Sequence, residues 1–183
     1  MLKITIPGIE MYDESKNEFS YTKDTTLQLE HSLVSISKWE AKWNKPFLAT
    51  KEKTQEEALD YIKCMTITQN VPDMAYMGLN EEIIKQINDY IEAPMTATTF
   101  SKEQEGSKKT GKGEIITSEL IYYWMTALQI PMECQKWHIN RLLTLINVCN
   151  IKNTPPKKMS KSEIYSKNKA LNAARRAKYH SKG

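Results

Sequence analysis

Long uninterrupted apolar runs are missing from this sequence. Its most apolar stretches, 120–130 and 142–149, are broken by Thr126, Gln129, Thr144 and Asn147. Neither approaches the ~20 residues a helix needs to cross a bilayer. The opening residues, Met1 to Pro7, lack the apolar core and small-residue cleavage site of a secretory signal. Cysteine is scarce and odd in number: Cys64, Cys134 and Cys149. That argues against a disulfide framework and for reduced thiols in a cytosol. Each of the three lies in an apolar helical context, where cysteine acts as a small core residue.

Recognisable reaction chemistry is sparse as well. Cys134 and His138 are four apart, but His31, Cys64, Cys149 and His180 are scattered. A structural zinc site takes four ligands, usually in close pairs, so no metal is expected. No nucleophile elbow is present. The carboxylate pairs Glu56-Glu57 and Glu81-Glu82 fall in first helical turns, where they complement the helix dipole. Gly106-Ser107-Lys108-Lys109-Thr110-Gly111-Lys112-Gly113 nearly spells a phosphate-binding loop. Gly113 stands where that loop needs a Ser/Thr hydroxyl for Mg²⁺, and no hydrophobic strand precedes it. The segment reads instead as a lysine-rich linker. These features predict a non-enzymatic protein without cofactor.

What the chain does have is a charge divide. Residues 152–183 hold ten Lys/Arg and one acid, for +9, while the other 151 residues hold 16 basic and 21 acidic ones, for −5. A mildly acidic body thus carries a strongly basic tail. Lys157, Lys158, Lys161, Lys167, Lys169, Arg175, Arg176 and Lys178 are the candidate contacts of that tail. They suit non-specific nucleic acid, an acidic protein surface, or a merely solubilising end.

Residues 1–6 alternate apolar and polar side chains. Residues 10–13 and 18–22 flank the polar turn Glu14-Ser15-Lys16-Asn17, and 25–31 alternate again. About three antiparallel strands are expected over 1–32. Helical spacing then takes over. Ser32 or Ser35 caps a helix to about Asn44, carrying Leu33, Ile36, Trp39 and Trp43. Thr54 and Glu57 form a capping box for a helix to about Thr68. Asn80 caps a third helix with an Ile83, Ile84, Ile87 and Ile91 stripe. Residues 96–113 read as a loop. Two further helices, 118–128 and about 131–150, are expected as an antiparallel pair across the short break at Gln129–Pro131. Thr154-Pro155-Pro156 is a stiff spacer, and Ser160 with Glu163 caps a helix over 161–178. The fold class expected is α+β and mainly helical. A small N-terminal sheet (1–32) precedes a helical body (33–151) with loop 96–113, about five helices in all, and a basic tail (152–183).

Three stretches carry a resemblance: 29–40 (LEHSLVSISKWE), 119–125 (ELIYYWM) and 136–143 (KWHINRLL). Together they resemble small proteins of the structural-gene region of tailed bacteriophages, closest to tail assembly chaperones, by general pattern over residues 25–150. The resemblance implies a non-enzymatic protein of the host cytoplasm that binds the tape measure protein, and a longer frameshifted product. The N-terminal β segment and a basic rather than acidic tail depart from that layout. Trp124, Trp137 and Arg141, with Trp39 and Trp43, are the candidate partner-binding residues, since Trp and Arg dominate interface hot spots. Core packing is the competing role for each tryptophan. The groove is expected between helices 118–128 and 131–150. A connector or virion component, and a nucleic-acid-binding accessory protein, are the alternatives.

Overall fold

The computed structural model describes residues 1–13, 17–100, 115–154 and 161–180. Loop residues 101–113, Lys157, Lys158 and the Ser160 cap lie outside them. The chain forms two compact units, Met1–Ile151 and Lys152–Gly183. As expected from the sequence, the fold is α+β and mainly helical.

Four strands open the body: β1 (Leu2–Ile6), β2 (Glu10–Asp13), β3 (Glu18–Tyr21) and β4 (Thr25–Leu29). They form two antiparallel ladders, β1 with β4 and β2 with β3, rather than one sheet of about three strands. The break between the ladders lies at Pro7-Gly8-Ile9 and Thr22-Lys23-Asp24. Pro7 has no N–H to donate to a ladder. The Gly8 N–H is taken by the Asp24 carboxylate at 2.8 Å, and the Ile9 N–H by Thr22 Oγ1 at 2.8 Å. The alternation in β1 and β4 turns Ile4, Ile6, Leu27 and Leu29 to the core, all buried.

Helix α1 (Leu33–Trp43) starts from a Ser32–Ser35 capping box. It ends where Asn44 adopts a left-handed conformation, φ 52°, and returns its N–H to the Glu40 carbonyl at 2.8 Å. Helix α2 (Gln55–Met65) has the expected Thr54–Glu57 box but stops three residues before Thr68. Residues 66–68 run beside β4 instead. Ile67 N–H donates to the Gln28 carbonyl at 2.8 Å, and Thr68 Oγ1 accepts from the Gln28 N–H at 2.9 Å. Three β-branched residues, Thr66-Ile67-Thr68, favour that extended path.

A 3-10 turn (Asp73–Gly78) leads to α3 (Glu81–Glu92), capped by Asn80. Gly78 has no room for a side chain there: a Cβ would stand 2.8 Å from both the Pro7 carbonyl oxygen and an Ile6 methyl. Helix α4 (Ser118–Ala127), capped by Thr117, lies against α1. The expected continuous helix over 131–150 is not formed. A 3-10 turn (Met132–Lys136) and two extended residues, Trp137 and His138, precede α5 (Ile139–Asn153). The cause is tertiary: Ile139 N–H donates to the His31 carbonyl at 2.7 Å and His138 bridges to Ser32, which draws the chain out of helical geometry. The helix that α4 packs against is α1, and α4 does not form the expected antiparallel pair with the helix that follows.

The second unit contains α6 (Lys161–Tyr179), whose described side chains are all exposed. No helix of the described residues is long and apolar enough to cross a membrane.

Candidate functional site

Helix α2 rests on α1 while α3 rests on β1. The space left between α2 and α3 is an open cleft of about 700 Å³. Its lining follows from the way each helix distributes its apolar residues. In α3, Ile83 and Ile87 turn to the core, and Ile84 stands one position off that stripe, 41% exposed. In α2, Tyr61, Ile62 and Met65 are buried, while Leu59 is off the stripe and 36% exposed. Leu59, Ile84, Ile87 and Ile91 therefore face one space, floored by Phe47 and Tyr61. Lys51 and Glu92 stand at its edges with opposite charge.

The floor is built from stacked rings. Phe47 lies on Tyr61 with centroids 4.0 Å apart, and edge-on to Trp39 at 5.2 Å. Lys53 caps the Phe47 ring at 4.1 Å and donates to the Phe47 and Thr50 carbonyls at 3.2 and 2.8 Å. Partial burial holds the Lys53 ammonium below the usual lysine range, an effect that Glu57 opposes.

Beneath the floor lies a buried polar chain. His31 Nδ1 pairs with the Tyr61 hydroxyl, and its ring meets the His138 ring edge-on at 5.0 Å. His138 Nε2 donates to the Tyr90 carbonyl at 3.0 Å. Its Nδ1 receives the Asn140 N–H at 3.3 Å, an arrangement that requires a neutral ring. Tyr90 in turn donates to Glu30 at 2.7 Å. Burial, then the neighbouring His138 and Lys53, push the His31 imidazole down to about 3. Burial also pushes the Tyr61 phenol up and the Cys64 thiol up. At neutral pH the two imidazoles and the Tyr61 phenol are thus uncharged, and the polar chain ends at the Glu30 carboxylate, which also pairs with the N-terminal ammonium at 3.0 Å. Among the described side chains, no buried nitrogen or oxygen lacks a hydrogen bond.

The tryptophans divide. Trp39 is fully buried and its indole donates to the Glu57 carbonyl at 2.9 Å. It is a core residue and not a partner anchor, because reaching it would open the body. Trp43 is half-buried, tied to Asp60 at 3.0 Å, with Lys42 and Lys45 beside its ring. Trp124 is half-buried. Trp137 is half-buried and Arg141 exposed, with the guanidinium carbon 4.1 Å from the ring centroid. The two meet across the start of α5 rather than along one helical face. Of the tail candidates, Lys161, Lys167, Lys169, Arg175, Arg176 and Lys178 are exposed on α6.

None of the expected anchors lines the cleft. Leu59, Ile84, Phe47 and Lys53 were missed because a cleft depends on how helices are spaced. The available signal was Ile84, an apolar residue in excess of what one buried stripe requires. The chain matches no protein-family model, no curated protein and no solved structure.

Proposed function

We propose that this chain is a non-enzymatic assembly chaperone that seats an amphipathic helix of a partner in the α2–α3 cleft. By its resemblance to tail assembly chaperones, the partner class is the tape measure protein of a tailed bacteriophage. The place of action would be the host cytoplasm during tail morphogenesis. The observation that carries the reading is the cleft itself: an open apolar trough between two helices, with Leu59 and Ile84 half-exposed. A guest helix would place apolar residues at i, i+3, i+4 and i+7 into it. Lys51 and Glu92 at the edges would pair with charges beside that stripe and fix its direction. The buried His31–Tyr61 pair fits a scaffold role, since its hydroxyl and ring nitrogen are already engaged with each other.

Co-expression with a tape measure protein of a tailed bacteriophage tests this. The wild-type chain should raise the soluble fraction of the partner. Leu59→Asp combined with Ile84→Asp should abolish the effect and weaken binding at least ~30-fold, by about 2 kcal/mol or more, as for an interface hot spot. Both residues are partly exposed, so the thermal midpoint of the free double variant should stay near wild type. Trp137 stacked under Arg141 is the competing anchor. Loss of binding in Trp137→Ala with the cleft variant unaffected would move the partner to that face and overturn the cleft assignment. Detection of the chain in purified particles would favour the virion or connector alternative.

A further inference from the structure

Helix α6 arranges its charge in a way that its composition does not show. At about 100° per residue, its six cations fall within one arc of roughly 200°. Lys167 and Lys178 form one edge of that arc, and Lys169 and Arg176 form the other, about half a turn away. Between the edges lie Lys161, Arg175, Asn168 and Asn172, together with Ile164, Tyr165, Leu171 and Tyr179. The opposite face carries the small residues Ala170, Ala173, Ala174 and Ala177, with Ser166. All the residues named here are exposed.

We infer that α6 lies in the major groove of double-stranded DNA. The groove is about 12 Å wide, close to the 10–12 Å diameter of a helix with its side chains. A helix lying there has a phosphate strand on each side, and α6 carries a pair of cations on each edge. Asn168 and Asn172, between the edges, would face base edges, to which asparagine both donates and accepts. The alanine face turns outward and asks for no partner. From Lys161 to Lys178 the cations span about 25 Å of helix axis. A membrane surface is a poorer match, because Ile164 and Leu171 sit inside the cationic arc instead of forming an apolar face of their own. Duplex RNA is poorer too, since its major groove is deep and narrow. This binding is separate from the cleft and stands or falls without it.

The test uses the full chain and a short mixed-sequence DNA duplex, with affinity followed by fluorescence anisotropy. Four phosphate contacts from the edge cations predict a log–log salt slope of about −3.6, so affinity should fall roughly 150-fold between 50 and 200 mM salt. Lys169→Gln with Arg176→Gln should flatten that slope by about 2. Charge-matched substitutions then separate an oriented helix from a formless polycation. Asn172→Glu, facing the groove, should weaken binding tenfold or more, and Ala173→Glu, on the far face, by less than threefold. Helical circular dichroism should not fall on adding duplex. Equal losses in the two glutamate variants would overturn the proposal. So would no binding at 50 mM salt, or equal or tighter binding to single-stranded DNA, duplex RNA, polyglutamate or phosphatidylserine-rich vesicles.

Discussion

Glu40→Ala should destabilise the body by about 3–5 kcal/mol, read as a lowered urea midpoint at pH 7 with an unchanged m-value. Glu40 is buried in α1, and its two carboxylate oxygens serve two distant segments. Oε1 accepts the Phe47 N–H at 2.8 Å, and Oε2 accepts the Ser118 N–H at 2.7 Å. Ser118 is the first residue of α4, so the carboxylate also faces the positive end of that helix. Removing it strands two buried N–H groups at about 1–3 kcal/mol each and withdraws the favourable charge. Glu40→Gln keeps one acceptor oxygen but turns an NH₂ toward the other N–H, so it should cost about 1–3 kcal/mol. An alanine variant less than 1 kcal/mol weaker than wild type would show that water replaces both bonds. Because Phe47 floors the cleft, the alanine variant should also bind the partner more weakly.

Acidification from pH 7 to pH 5 should remove about 2 kcal/mol of stability through His31 alone. The folded protein holds this imidazole at about 3, whereas the unfolded chain protonates it near its ordinary value of about 6.5. Between those values the unfolded state binds the extra proton, so stability falls as pH drops below about 6.5 and levels off only near 3. The groups facing His31 explain why no proton enters: the Tyr61 hydroxyl occupies Nδ1, Phe47 and His138 pack on the ring, and Lys53 adds positive charge. His138, lowered chiefly by burial, adds in the same direction. Glu57, Asp73 and Glu119 are lowered mainly by hydrogen bonds, and Lys45 and Lys63 supply the largest of these for the first two. Their contributions are lost only as pH falls through the carboxylate range, so the pH 5 endpoint leaves them largely intact. His31→Phe should cost stability at pH 7 but flatten the loss between pH 7 and 5. A wild-type urea midpoint that stays level over that range would refute the buried neutral imidazole.

The features legible in advance were local ones. Ser32, Thr54, Asn80 and Thr117 each bond the backbone N–H three residues on, so the starts of α1, α2, α3 and α4 follow from a few neighbouring residues. Alternation located β1 and β4, and the helical tail was expected over almost the range it occupies. The misreadings come from long-range bonds. Residues 66–68 left the helical pattern for the edge of β4, and 137–138 left it for the His31–Ser32 segment. Pro7, by lacking a donor, divided the strands into two ladders. Trp39 and Trp43 share a helical face, yet one is sealed beneath Phe47 and the other reaches the surface. Periodicity assigns a side, and only packing assigns a depth. The cleft was hidden for the same reason.

Each wall of the cleft is rooted in the body, α2 on α1 and α3 on β1. Ile83 and Ile87 of one wall and Tyr61 and Ile62 of the other are core residues, and the segment joining the walls is itself held, residues 66–68 to β4 and Gly78 against Ile6 and Pro7. The cleft is therefore a preset gauge rather than a clamp. A guest helix with bulkier residues along its contact stripe should bind more weakly instead of being accommodated, because widening the gap would cost core packing.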